Sequence, residues 1–269
     1  MLIDTHTHIN FPPLLQDWEN HLQSFQNAGG KILINAGAHQ SYNENGIHIA
    51  QKAKTLFPDL IVKATIGIHP DDGKEIKKAD FPSLSSLLET QYLENQEVVC
   101  AIGECGIDLH SAEATPLEHQ YALLQLHCEL ARKLKLPIVI HSRDAFNETL
   151  KVLQNFRDLN IYFHCRGYGP SEIQEIEKLL PNLRIGFTNI ITYKNAPATR
   201  DSLLAIKKAK ILTETDAPRL PPQPFRGQTC YPHYVSYVTE KIAELLEKPQ
   251  SEIEKIVRDN ACSLLGINA

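Results

Sequence analysis

No run of apolar residues in this chain approaches the roughly 20 that a helix needs to cross a bilayer, so no membrane contact is expected. The opening MLIDTHTHIN has no basic segment leading into an apolar one, because Asp4 and His6 interrupt it at once. A secretory leader is therefore not expected, and a cytoplasmic location is. Positive charge is in deficit, with a net charge of -5. That argues against a broad basic surface for duplex nucleic acid, but not against an enzyme that meets phosphates in a locally positive cleft. The six cysteines contain no C-x-x-C pair, and the 269 residues are many for a disulfide-stapled domain, so reduced thiols are expected. Neither G-x-G-x-x-G nor G-x-x-x-x-G-K-[ST] follows a β-rich run, which leaves a nucleotide cofactor without support. There is no low-complexity segment and no evident linker.

What is present is an alternation. Eight β-rich runs recur: MLIDTHT (1–7), KILINAG (31–37), IVKATIGIH (61–69), VVCAIGECG (98–106), PIVIHS (137–142), NIYFHC (160–165), RIGFTNI (184–190) and KILTETDA (210–217). Most are continuous apolar stretches, as expected of parallel strands covered on both faces. Helix-like segments separate them. Leu117, Tyr121, Leu124, Cys128 and Ala131 fall at helical spacing. Thr115 with Glu118, Ser171 with Gln174, and Ser251 with Glu254 predict capping boxes at three helix starts, the last helix reaching about Leu265. Eight such alternations predict an α/β fold, a (β/α)8 TIM barrel forming a single domain over residues 1–269, with a doubly wound open sheet as the alternative.

A barrel of this kind carries its site at the C-terminal ends of the strands. The first run ends in His6 and His8, the second precedes His39, and the third ends in His69. The fourth carries Glu104, the fifth ends in His141, the sixth in His164, and the eighth carries Glu214 and Asp216. Six of the twelve histidines thus fall at or just past strand ends, where random placement would scatter them. Residues i and i+2 of a strand share a face, so Asp4, His6 and His8 point the same way. An isolated H-x-H is an uninformative surface feature; with histidines and acids ending other strands it reads as a metal site, since imidazole with carboxylate suits divalent ions. His6, His8 and Asp216 are expected to hold one ion. His141 and His164 are expected to hold a second, with Glu104 bridging the two. Two ions about 3.5–4 Å apart activate a water and clamp an oxyanion, and Asp216 is placed to act as general base. His69 and His39 are read as substrate contacts or structural residues, and Glu214 as a group behind the ligands. His21, His48, His119 and His127 are read as surface or satisfied core residues of helices, and Cys105 and Cys165 as packing between barrel and helices. Arg143, Arg166, Lys194, Arg219 and Arg226 put positive charge on the rim of an acidic chain, which suits an anionic substrate.

DTHTHI, GIHP, GECGID, LPIVIHSRDA, a histidine closing the sixth run, and TETDAP followed by RG occur in that order over nearly the whole chain. Together they resemble the TatD-family metal-dependent deoxyribonucleases of the amidohydrolase superfamily. The resemblance implies a TIM barrel, a centre of divalent ions (Mg2+, Mn2+, Zn2+ or similar), and hydrolysis of DNA, often as a 3′–5′ exonuclease on single-stranded ends. Carried over by position, the ligands are His6, His8, Glu104, His141, His164 and Asp216. By the strand-end reading Glu104 and Asp216 are expected to be catalytic, and His69, Arg143, Arg219 and Arg226 to meet the substrate. The chain departs from the family at CRGYGP after His164, where a Phe-Ser-Gly type turn is usual, and at QTCYP after Gly227, where an Asn-Glu-Pro type element is usual. Cys105 also replaces the usual Ile, Thr or Val. The alternative keeps the centre and changes the bond, to an amide or ester hydrolase such as a D-aminoacyl-tRNA deacylase. A binding protein with a degenerate site would lack ligands, yet all six positions are filled.

Overall fold

Each of the eight apolar runs forms a strand in the computed structural model, which describes residues 1–110, 115–164 and 168–268. The strands are β1 (Leu2–Thr7), β2 (Gly30–Asn35), β3 (Ile61–Ile66), β4 (Val99–Asp108), β5 (Ile138–Arg143), β6 (Ile161–Phe163), β7 (Leu183–Phe187) and β8 (Ile211–Thr213). They lie side by side in chain order, and every neighbouring pair is parallel. Between and after them lie the α-helices α1 (Trp18–Asn27), α2 (Gln40–Leu56), α3 (Phe81–Glu94), α4 (Leu117–Leu134), α5 (Phe146–Leu153), α6 (Pro170–Leu179), α7 (Pro197–Ala205), α8 (Val235–Leu245) and α9 (Gln250–Leu265), with short 3-10 turns in several loops. This is the single-domain (β/α)8 barrel that the alternation predicts. No helix among the described residues is long and apolar enough to cross a membrane.

The first and last strands meet at a seam. Thr5 Oγ1 donates to the Thr213 carbonyl at 2.9 Å and Thr213 Oγ1 to the Ile3 carbonyl at 2.7 Å. Above them the Asp216 amide donates to the His6 carbonyl at 2.9 Å, and the His8 amide to the Ala217 carbonyl at 2.7 Å. All six residues of β1 and all ten of β4 are buried, as strands inside a ring of helices must be. Outside, α4 packs Leu123, Leu124, Cys128, Leu130 and Ala131 onto the barrel. Cys105 is buried and donates its thiol toward the Val139 carbonyl, whereas Cys165 and Arg166 lie outside the described residues.

The three expected capping boxes do not form. Thr115 instead donates to the Pro70 carbonyl at 2.5 Å, and α4 starts after Pro116. Ser171 sits inside α6, which begins at Pro170, and its hydroxyl donates to Glu172. α9 begins directly after Pro249. In each case a proline sets the backbone at the helix start, and the hydroxyl near it does not cap the helix. His39 does the capping for α2: its ring accepts from the Ser41 amide.

Candidate metal centre

The strand ends bring the predicted residues together. His6, His8, Glu104, His141, His164 and Asp216 all lie in one cluster, each no more than 5% exposed. The Nε2 atoms of His6 and His8 stand 3.2 Å apart. His8 Nε2 is 3.3 Å from Asp216 Oδ1, and Nδ1 of the same ring meets the Ala36 carbonyl at 3.1 Å. Glu104 spans the cluster. Its Oε2 lies 3.2 Å from His6 Nε2 and 3.5 Å from His8 Nε2, while its Oε1 lies 2.8 Å from His141 Nδ1 and 3.9 Å from His69 Nε2. One carboxylate therefore faces two groups of imidazoles with different oxygens.

Among the described residues, three sets of ligand atoms lie within metal-holding distance: His6, His8 and Asp216; His69, Glu104 and His141; and His6, His164 and Glu214. The first is the expected set. The expected pairing of His141 with His164 is not among these tight groups. The His164 ring stacks on His6 at 3.9 Å but is 6.3 Å from His141. His69 instead joins His141, since its ring sits 4.3 Å from that histidine. Strand adjacency alone does not fix which imidazoles meet, because ring orientation at the barrel mouth decides it. His164 Nε2 is buried without a hydrogen-bond partner. A buried nitrogen of this kind, aimed into a cluster of carboxylates and imidazoles, suits a divalent ion.

Groups behind these residues fix their rings. His141 turns Nε2 to Asp108 Oδ2 at 2.9 Å. Asp108 Oδ1 accepts the His110 amide at 2.8 Å, and the Gln120 side chain of α4 clamps the Asp108 backbone through both its N–H and its carbonyl. His164 Nδ1 lies 2.9 Å from Glu214 Oε1, and Tyr162 donates its hydroxyl to Glu214 Oε2. Such carboxylate–histidine pairs set tautomer and orientation for a metal-facing nitrogen. The sequence reading missed Asp108. Its signal was parity: Glu104, Gly106 and Asp108 share one face of β4. Beneath His6, Asp4 accepts from Thr215 Oγ1 at 2.6 Å, from the Thr215 amide at 3.0 Å and from the His6 amide at 3.3 Å, so its carboxyl group is occupied within the barrel.

Electrostatics divide the cluster. Burial pushes Asp4 well above the ordinary carboxylate value, against its Thr215 bonds. Burial acts the same way on Glu104, but the His6 and His141 contacts outweigh it and hold that carboxyl well below the ordinary value. For His164 burial is likewise outweighed, here by Glu214, and the ring is raised to about 9. His6 is lowered by burial and by the His164 charge beside it.

A cavity of about 180 Å³ opens onto the cluster, with His8, His69, Glu104 and Asp216 in its wall and Arg219, Asp71 and Asp72 at its mouth. Arg219 is exposed there. Arg143, the half-buried last residue of β5, acts on Asp108 and Asp71 by its charge. Arg226 does not line this cavity; its guanidinium lies 4.4 Å over the Tyr193 ring. Cys230, in the divergent segment after Gly227, is buried and accepts from the Asn189 side chain at 3.5 Å.

Comparison with known proteins agrees with this geometry. The chain is 32% identical over 269 residues to an uncharacterized metal-dependent hydrolase of Mycoplasma genitalium, covering 97% of each chain. It is 31% identical over 267 residues to the uncharacterized metal-dependent hydrolase YjjV of Escherichia coli, covering 98% of each. The crystal structure of YjjV, a TatD homolog, superimposes with a TM-score of 0.86 over 99% of this chain and 98% of that one. The human 3′-5′ RNA nuclease TATDN2 is 29% identical over 217 residues, which is 79% of this chain and 28% of that protein. The model of the TatD related DNase family matches residues 3–266, and the chain belongs to that family, as a metal-dependent hydrolase on a single-domain (β/α)8 barrel.

Proposed function

We propose that this protein is a nuclease that hydrolyses phosphodiester bonds at single-stranded ends, DNA foremost, with 3′–5′ polarity. The observation that carries the reading is the Glu104 carboxylate, with one oxygen toward His6 and His8 and the other toward His141. In this reading His6, His8 and Asp216 would hold one ion and His141 and His164 a second, with Glu104 serving both from between them. Two bound divalent ions, such as Mg2+, Mn2+ or Zn2+, would supply Lewis acidity for a phosphoryl oxygen and a water acidified toward neutrality. The chain's own groups do the rest. Asp216 accepts the proton of the attacking water, its backbone fixed by the bond to the His6 carbonyl. Arg219 receives the phosphate at the cavity mouth, where a guanidinium fork matches its oxygens, and His69 donates toward the substrate from beside Glu104. A small cavity, rather than a long basic groove, suits a strand end on an acidic chain. The 3′-5′ polarity in the name of the human relative supports the direction.

The test is a labelled single-stranded oligonucleotide incubated with Mg2+ or Mn2+. A ladder shortening from the 3′ end is expected, and Glu104→Ala should remove it. Full activity in Glu104→Ala, with contaminating nuclease excluded, would falsify the assignment. A second reading, hydrolysis of a D-aminoacyl-tRNA ester, draws on the Asp71 and Asp72 carboxylates at the same mouth, which suit an α-amino group. Release of a D-amino acid from charged tRNA, with no shortening of DNA, would select it.

A further inference from the structure

Two aromatic rings stand in the wall of the metal cavity and take no part in the centre. Phe11 packs 4.9 Å from the His8 ring and 4.8 Å from the Tyr42 ring, with Phe11 and Tyr42 inclined by only 30°. Both are half-buried. Both line the same cavity of about 180 Å³ as Glu104, Asp216 and Arg219. Their placement is fixed from the backbone. The Asn10 side chain donates to the Ala36 carbonyl at 2.8 Å and to the Tyr42 carbonyl at 2.9 Å, which joins the end of the β1 loop to α2. Asn45 adds a bond to the Asn10 carbonyl at 3.1 Å.

Charge sorts the mouth into two parts. Asp71 and Asp72 repel a phosphate and Arg219 attracts one, so the backbone of an incoming strand is directed to Arg219. The two aromatic side chains in the same wall remain for the uncharged part of the nucleotide. Every nucleobase has a π face, and stacking on aromatic side chains tolerates any sequence. We propose that Phe11 and Tyr42 form a stacking subsite for the base of the terminal nucleotide, holding its phosphodiester over the metal centre. The proposal rests on the nuclease reading above. It assigns these two residues the choice of a nucleotide end over other phosphodiesters.

The test measures binding apart from cleavage. A short fluorescent oligodeoxynucleotide, and the same oligonucleotide with an abasic 3′ residue, are titrated with the protein in EDTA and followed by anisotropy. Cleavage of the intact oligonucleotide with Mn2+ is measured in parallel. Wild-type protein should bind the intact end about tenfold or more tightly than the abasic end. The double variant Phe11→Leu/Tyr42→Leu should lose that preference, while Phe11→Tyr and Tyr42→Phe, which keep the π faces, should retain it. Thermal unfolding of all variants controls for folding. Equal binding of both ends by wild-type protein, or an undiminished preference in the double variant, overturns the stacking subsite; continued cleavage in Mn2+ then leaves the nuclease reading standing. A wild-type protein that neither binds nor cleaves the oligonucleotide overturns both.

Discussion

Asp108 Oδ2 stands 2.9 Å from His141 Nε2, on the side of the ring opposite the nitrogen that meets Glu104. Asp108 therefore dictates which nitrogen of His141 is free to face the centre. Asp108→Asn is expected to lower metal affinity by about 10- to 100-fold with little change in fold. Competition against a chromophoric chelator measures this, and an unchanged affinity would remove Asp108 from the centre.

Gly186 on β7 leaves the space that the Glu214 carboxylate fills. A Cβ there would come 2.1 Å from Glu214 Oε2 and 2.8 Å from the Tyr162 hydroxyl. Gly186→Ala should displace the pair that orients His164 and destabilise the protein by about 1–3 kcal/mol, as overpacking does. Urea unfolding gives the stability, and an equal midpoint and slope in the two proteins would contradict the crowding.

His127 of α4 is fully buried and satisfied at both nitrogens, with Nδ1 at the Leu123 carbonyl and Nε2 accepting the Ile68 amide. Burial lowers it from 6.5 to about 4. The unfolded chain therefore takes up this proton at a higher pH than the folded one. Its contribution to stability is complete above pH 6.5 and falls as the pH drops toward 4, by roughly 1.4 kcal/mol per pH unit. His127→Gln should flatten that limb when unfolding free energies are compared between pH 7 and pH 4. A slope identical to wild type would show that His127 titrates normally.

Removing divalent ions should lower the melting temperature. An ion held by His6, His8 and Asp216 binds the folded chain in preference to the unfolded one, because buried groups in β1 and just past the ends of β1 and β8 meet only after folding. Scanning calorimetry with EDTA and with added Mn2+ or Zn2+ checks this. Equal melting temperatures would argue against a resident ion.

The strands were legible because continuous apolar runs bounded by polar turns leave few other structures open to them. The residues of the centre were legible for a related reason: a histidine or acid ending an apolar strand has no place in a core, so DTHTH, GEC, VIHS and TETD stand out. Finer features depended on geometry the chain does not spell. The hydroxyls of Thr115, Ser171 and Ser251 read as caps, yet Pro116, Pro170 and Pro249 define those helix starts. The approach of the His69 ring to His141 follows from ring directions that strand order does not encode. Asp108 sits two residues past Gly106 on the Glu104 face, a parity visible in GECGID once β4 is known to run that far.

The seam between β1 and β8 has a consequence for synthesis. His6 and His8 leave the ribosome more than 200 residues ahead of Asp216. Until β8 closes against β1, the two histidines lack the carboxylate that completes their cluster. A nascent or prematurely terminated chain is thus without a finished cluster, and hydrolysis waits on a protein that has closed its barrel.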